Sequence, residues 1–375
     1  MAHAPTLQTN FSTTDMIAAL HDAMQTPERT TVEAQKPALH WGPKLGLDTT
    51  HVYPALSGTL EETATLGKSV SAASASRAKV TTTGISEHKV PLPPHRNFVP
   101  MGVAGGMGPL ATVDLQQKLF EAGERKLNEI AKETGKKVTD QDHMGVISFN
   151  LGHMIGDRTA YLNSFKGDRN DPKAWREHLT KPVPENPLFG ALEVCKGLKQ
   201  AGAHFIVFPC NTWHAWFDVI AAEVKLPMLH IAEATVLSLQ KATPKLPDNP
   251  KIGLIATTGT IDSELYQKAG ARMEKFGGPH ITWILPKPEF QDKAMSGIYD
   301  GVKAGDMAHG TKLLNEVALE VIKEGANAFF DACTEVNPAI HHISYPVPQV
   351  DAATALADTS VRLSMALAKL ERKLT

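Results

Sequence analysis

Two cysteines stand at matching points of a duplicated segment, and two thiols facing one carbon can move a proton across it. Around Cys210 the chain reads Gly202-Ala203, an apolar stretch Phe205-Ile206-Val207-Phe208, Cys210-Asn211-Thr212, Leu226-Pro227-Met228 and Ala234-Thr235. Around Cys333 the same order returns as Gly325-Ala326, Ala328-Phe329-Phe330, Cys333-Thr334-Glu335, Tyr345-Pro346-Val347 and Ala353-Thr354. Each Gly-Ala pair begins eight residues before its cysteine, whereas the Ala-Thr pair ends 25 residues after Cys210 and 21 after Cys333. Four residues is about one helical turn. A strand that ends at a cysteine and gives way to a helix leaves the sulfur near unpaired amides and the positive end of a helix dipole, which favour thiolate. A lone free cysteine is ordinarily a small buried hydrophobe, and Cys195, in the amphipathic stretch Leu188 to Leu198, is read that way. Cys210 and Cys333, each followed by polar residues at equivalent points of a repeat, are read as functional.

The elements that must hold these thiols follow from the apolar patterning. From Phe98 a short apolar run reaches the turn Gly105-Gly106-Met107-Gly108-Pro109, and a helix is predicted from Leu110 to about Lys126. Further strands are predicted at Gly145 to Phe149, Phe205 to Phe208 and Pro227 to Ile231. A second cycle opens at Lys251 to Ala256, aligned with Pro100 to Gly105, so that Thr257-Thr258-Gly259-Thr260 replaces Gly106-Met107-Gly108-Pro109. Short apolar strands alternating with helices imply an α/β fold with parallel sheets flanked by helices, and such sheets bind ligands at their strand ends. The repeat implies two pseudo-symmetric lobes with the site in the cleft between them. The expected division is residues 97–235 plus 346–375 for the first lobe and 236–345 for the second. The C-terminal helix, predicted from Asp358 to Lys373, carries Val361, Leu363, Ala366, Leu367 and Leu370 at helical spacing.

Residues 1–96 differ in texture. They are rich in Thr, Ser, Ala and Pro, with one short amphipathic helix predicted near Thr14 to Met24, and they read as a largely flexible extension. The polar segment between Ser148 and Pro187 is too long for an ordinary connection and reads as a lid or a surface insertion.

Composition narrows the function classes. The chain has 375 residues, 42% of them hydrophobic, a formal charge of -2 and three cysteines. That balance offers no broad basic field for nucleic acid or an anionic membrane, and no apolar run approaches the roughly 20 residues of a membrane helix. Three cysteines without a CxxC pattern argue for a reducing compartment, hence the cytoplasm. Export through a non-classical N-terminal signal is the alternative. Gly106-x-Gly108-x-x-Ala111 formally matches a relaxed dinucleotide fingerprint, but the next strand ends without the acidic residue a nicotinamide site expects. The sixteen histidines form no HExxH or finger pattern. His214, four residues after Cys210, is positioned either to tune that thiol or to make a structural hydrogen bond. A single-thiol Cys-His nucleophile is the related rival.

These segments resemble the aspartate/glutamate racemase superfamily, and within it the cofactor-independent aspartate racemase branch. The resemblance is carried by Gly105 to Thr112, Asp157-Arg158-Thr159, Cys210-Asn211-Thr212-Trp213-His214, Ile255 to Thr260, Ile298 to Gly305 and Cys333-Thr334-Glu335. The glutamate branch opens with Asp-Ser-Gly, where this chain has Gly-Gly-Met-Gly. The resemblance implies a racemase that uses neither pyridoxal phosphate nor metal, with Cys210 and Cys333 on opposite faces of the α-carbon of aspartate or a similar acidic amino acid. It implies that Arg158 and Lys303 meet the carboxylates, that Met107, Asn211, Thr212, Thr257, Thr258 and Thr334 contact substrate, and that Glu335 tunes Cys333. A homodimer is implied by family habit alone. The other readings are a decarboxylase or maleate-type isomerase of the same superfamily, or a host- or partner-interaction protein on a racemase scaffold.

Overall fold

In the computed structural model, which describes residues 97–169, 171–275 and 278–374, the predicted alternation becomes two parallel sheets. The first cycle runs β1 (Met101–Gly105), α1 (Pro109–Thr134), β2 (Val146–Asn150), α2 (Arg158–Ser164), α3 (Pro172–Arg176), α4 (Pro187–Gln200), β3 (Ile206–Val207), α5 (Phe217–Val224) and β4 (Met228–Leu229). After α6 (Ile231–Ser238) the second cycle runs β5 (Lys251–Ile255), α7 (Thr258–Asp262), α8 (Leu265–Glu274), β6 (Thr282–Ile284), α9 (Pro288–Ser296), α10 (Met307–Lys323), β7 (Ala328–Asp331), α11 (Val336–Ile340) and β8 (Gln349–Asp351). The chain then enters α12 (Ala352–Leu374). Strand orders are β2-β1-β3-β4 and β6-β5-β7-β8, all pairs parallel. The expectations placed on residues 1–96 lie outside the described residues.

Sheet register confirms the duplication and corrects its end. Gly102 pairs with Ile206, and Gly253 with Phe329, so the two cycles align as their sequences do. The helices α4 and α10 both end on left-handed glycines, Gly202 at φ 94° and Gly325 at φ 96°. The next amide donates back, Ala203 to Leu198 O at 3.1 Å and Ala326 to Val321 O at 3.2 Å, which is why glycine stands there in both copies. Beyond the cysteines, Pro227 O accepts from Ile206 N at 2.9 Å and Pro348 O from Phe329 N at 3.0 Å. Pro348, not Pro346, is therefore the counterpart of Pro227. The following helices start 21 and 19 residues after their cysteines. The copies thus differ by two residues there, not four: the helix after Cys333 ends sooner than α5 does after Cys210, and a longer connection to β8 makes up most of the difference.

Two further boundaries move. Gln349–Asp351 is still a strand of the second sheet, so the return to the first lobe begins at Ala352 rather than 346. There the Asp351 carboxylate accepts from Thr354 N at 2.9 Å and starts the helix. Leu356, Val361, Leu363 and Leu367 of α12 pack with Val103, Leu115, Leu119 and Val207 in the core of the first lobe. Helix α1 continues to Thr134 because its last turns, past the buried Leu127, are good helix formers, and it ends on left-handed Gly135.

The segment 148–187 is a packed insertion rather than a loop. Trp175 is 2% exposed and stacks on Phe165, with 3.9 Å between ring centroids. It also meets Trp216 edge-on at 5.5 Å. Among the described residues no helix is long and apolar enough to cross a membrane.

Candidate functional site

Strands β3 and β7 run out shortly before their cysteines, and each sulfur-bearing residue sits at a strand's C-terminal end, 6% exposed in both cases. Cys195 is fully buried among Leu192, Val194 and Leu198, and burial pushes its thiol upward. Its side chain is core.

The lobes meet through a symmetric pair of contacts. A Cβ on Gly259 would stand 2.8 Å from Thr212 Cγ2, and one on Gly108 2.9 Å from Glu335 Oε1. Gly108 and Gly259 are equivalent in the two cycles, as are Thr212 and Glu335, each two residues past its cysteine. Every lobe therefore lets the other's cysteine turn approach its own backbone through a glycine. Side chains then cross the junction. Tyr266 Oη donates to Asn211 Oδ1 at 2.6 Å, and Tyr299 Oη to Asp157 Oδ2 at 3.0 Å. The hydroxyls of Thr212 and Thr257 lie 2.9 Å apart. Gly259→Val is expected to leave each lobe folded but to push Thr212 out of register. Thermal unfolding should shift by a few degrees, as for overpacking costs of ~1–3 kcal/mol, and differential scanning calorimetry checks it.

Between the lobes lies a small cleft lined from both sides. From the first lobe it receives Met107, Arg158, Cys210, Asn211 and Thr212, and from the second Thr257, Lys303, Cys333, Thr334 and Glu335. Thr159 and Tyr299 also line it and were not expected. Each had a local signal. Thr159 adjoins Arg158, and Tyr299 lies four residues before Lys303. The latter pair sits where α9 runs into a π-helical turn, Gly297–Val302, a distortion common at functional sites.

Two expected residues do not line the cavity. Thr258 turns aside, its amide donating to Met295 Sδ at 3.2 Å, because Thr257 takes the capping position of α7. His214 reaches the backbone carbonyl of Cys210, not its sulfur. The amide of Ile231 donates to His214 Nε2 at 3.2 Å, so Nδ1 carries the proton given to Cys210 O at 2.8 Å. Burial lowers the His214 pKa to about 4, and His230 beside it is lowered as well. An unfolded histidine titrates near 6.5. The folded pKa is depressed, so the contribution of neutral His214 is present above pH ~6.5 and lost as pH falls toward 4, on the order of 3 kcal/mol in full. His214→Gln is expected to lower stability at pH 7 but to narrow the gap from wild type by pH 4.5, read by urea unfolding at both pH values.

Charge inside the cavity is uneven. Burial works against Arg158, but Cys210, Asp157 and Glu335 outweigh it and hold the guanidinium above its usual pKa. Arg158 Nη2 donates to Met107 O at 3.1 Å and Nη1 to Gly156 O at 3.3 Å. Desolvation likewise opposes Lys303, while Glu335 and Cys333 raise it, and its ammonium stands 4.0 Å from the centre of the Tyr299 ring. The Cys333 thiol donates to Glu335 Oε2 at 2.9 Å. Burial first, and then the Glu335 charge, push that thiol well above its ordinary range, with Lys303 pulling the other way. Two buried donors, Arg158 Nε and Asn211 Nδ2, lack a partner among the described residues. Unpaired buried donors are costly, and a carboxylate in the cavity would satisfy them.

The glycine turn does not suit a phosphate, because the Glu335 carboxylate occupies the space in front of Gly108. Among the described residues no group of three or more His, Cys, Asp or Glu side chains is arranged to hold a metal ion.

The Asp/Glu/Hydantoin racemase family model matches residues 176–359, a span that includes Cys210, Lys303 and Cys333 but not Met107 or Arg158. The chain is 28% identical over 169 residues to the broad specificity amino-acid racemase RacX of Bacillus subtilis (strain 168), covering 45% of this chain and 68% of that one. Among solved structures it is similar to Picrophilus torridus aspartate racemase, at 22% identity and a TM-score of 0.48 over 70% of this chain and 94% of the other. It is also similar to PH1733, an aspartate racemase homologue from Pyrococcus horikoshii OT3, at 20% identity and a TM-score of 0.45 over 73% and 99%. The family match, over residues 176–359, and the Bacillus relative both point to an amino-acid racemase of the Asp/Glu/hydantoin racemase superfamily.

Proposed function

We propose that the protein interconverts the enantiomers of a small acidic amino acid, aspartate or a close analogue, with Cys210 and Cys333 as the two acid-base groups and no pyridoxal phosphate. The observation that carries this reading is the shared cavity: two cysteines from equivalent strand ends line one small space with two cations. One thiolate takes the α-proton. The electron pair left on the α-carbon spreads into the adjacent carboxylate, and the thiol on the opposite face returns a proton there, inverting the centre. Arg158 and Lys303 are the partners for the two carboxylates. The unpaired Asn211 amide and Arg158 Nε are aptly typed to receive the negative charge that builds up as the proton leaves.

Cys333, hydrogen-bonded to Glu335, is drawn in its proton-donating state. For the reverse direction Glu335 accepts that proton and leaves a thiolate beside Lys303. Because the Cys333 pKa is raised, the direction that uses Cys333 as base should speed up as pH increases. Glu335→Gln removes the repelling charge, so the rise should begin at lower pH while the maximal rate falls. Initial rates from each enantiomer across pH 6 to 10 would show this, and an unchanged profile would exclude Glu335 from the proton path.

A broader substrate range is a second reading, favoured by the broad specificity named for the Bacillus relative. The deciding experiment incubates both enantiomers of each common amino acid in D2O, with chiral chromatography and mass spectrometry of the products. Aspartate is expected to invert and take up deuterium at the α-carbon. Release of carbon dioxide from malonates or conversion of maleate, with no inversion of any amino acid, would replace racemisation by one of the other superfamily chemistries.

A further inference from the structure

Three threonine hydroxyls meet beside the cleft of the two cysteines, and one of them does not line it. Thr212 Oγ1 lies 2.9 Å from Thr257 Oγ1 and 3.1 Å from Thr260 Oγ1, and the last two are 3.2 Å apart. Thr212 comes from the turn after Cys210, whereas Thr257 and Thr260 come from the start of α7 in the second lobe. Thr212 and Thr257 line the cleft. Thr260 stands behind them, 0% exposed, and its hydroxyl has no other partner among the described residues.

The number of protons decides what such a triangle can do. A hydroxyl has one proton to give and room to accept two. Bonded head to tail, the three keep all their protons inside the triangle. If Thr212 turns its proton into the cleft, Thr257 and Thr260 can both donate to Thr212 Oγ1, which then accepts two bonds and gives one. Thr257 Oγ1 still accepts from Thr260 N at 3.4 Å, so every hydroxyl stays bonded. Without the Thr260 hydroxyl a single bond joins Thr212 and Thr257, and either can donate it.

The surroundings show what the freed proton would meet. Beside Thr212, Asn211 is 3% exposed and its Nδ2 has no acceptor among the described residues, while Tyr266 Oη holds its Oδ1 at 2.6 Å. At the equivalent point of the other lobe stands Glu335, whose carboxylate accepts from the Cys333 thiol at 2.9 Å and from Thr334 Oγ1 at 3.2 Å. Donors gather on the first side and negative charge on the second. An anionic group of the ligand therefore belongs beside Thr212.

We propose that Thr260 is the positioning residue for the Thr212 hydroxyl, donating into Thr212 Oγ1 alongside Thr257 so that the Thr212 proton is presented to a carboxylate in the cleft. The assignment rests on the racemase reading only in taking a carboxylate as the ligand. Two donors into one hydroxyl also polarise it and strengthen the bond it gives, and charge on that carboxylate grows as the α-proton leaves.

The test measures succinate binding to the full chain by calorimetry and aspartate racemisation by chiral chromatography. Thr260→Val keeps the shape of the buried side chain but removes its hydroxyl, and is expected to weaken succinate about tenfold and to lower kcat about tenfold. Thr260→Ser restores the hydroxyl and should stay within about twofold of wild type in both. Thr260→Ala replaces the valine variant if that one does not fold, with the same losses expected. Succinate affinity unchanged without the hydroxyl, or lost equally in Thr260→Ser, would overturn the proposal. A wild type that inverts no amino acid, yet loses succinate only when the Thr260 hydroxyl is removed, would sink the racemase reading and support this one.

Discussion

Cys210→Ala and Cys333→Ala are each expected to lose racemisation by ~10³-fold or more, yet each should still wash deuterium from D2O into one enantiomer, and a different one in each variant. The reason is geometric. A single remaining thiol addresses one face of the α-carbon, so it can remove a proton, exchange with solvent and return a deuteron to the same face without inversion. Inversion needs the second sulfur. Both sulfurs are nearly buried, at 6% exposure, and replacing either with alanine removes one atom from a packed site, so folding should survive and is checked by thermal unfolding. Cys195→Ala is the control, expected to keep the full rate because its side chain lies in the core of the first lobe. Chiral chromatography of both reactions decides the matter. A variant that inverts aspartate at the wild-type rate, or that labels both enantiomers equally, would remove the two-thiol mechanism.

Removing a cation should weaken acidic substrates specifically. Arg158→Gln and Lys303→Met are each expected to raise the KM for aspartate by roughly 10- to 100-fold, as for a lost hydrogen bond to a charged group of about 1.5–3 kcal/mol. Their kcat should fall less. Arg158 also holds Met107 O and Gly156 O, so its replacement loosens the turn at Met107, whereas Lys303 touches its surroundings mainly through the Tyr299 ring. Comparison of the two variants separates binding from positioning. Arg158→Lys is not a conservative control here, since a point charge cannot reproduce the planar fork. Steady-state kinetics with aspartate and alanine checks both variants. An unchanged preference for aspartate over alanine in Lys303→Met would place the side-chain carboxylate elsewhere.

Much of the scaffold was legible because its signals are local. The strands at Met101, Val146, Ile206, Met228 and Lys251 each follow a short apolar run, and the repeated Gly-Ala turn marks two helix ends that share one backbone conformation. The strands Thr282–Ile284 and Gln349–Asp351 were missed. Each is three residues long at a sheet edge and only part-buried at most positions, so neither carries an apolar pattern of its own. The proline that marks β8 was mistaken for its neighbour two residues away, since Pro346 and Pro348 are alike until a partner strand selects one carbonyl.

By itself the sequence determined which chemical groups were available and that they came in two copies, because repeats, periodicities and cysteine-centred motifs are properties of neighbouring residues. The meeting of those groups was decided only by tertiary structure. Tyr299 reaches Asp157 across 142 positions of chain, Thr334 reaches Pro209 across 125, and His214 became a backbone bolt because a carbonyl and an amide from two elements stand on either side of its ring. Hydrogen bonds of a few ångströms between such distant residues depend on how the lobes pack, and no spacing along the chain encodes that distance.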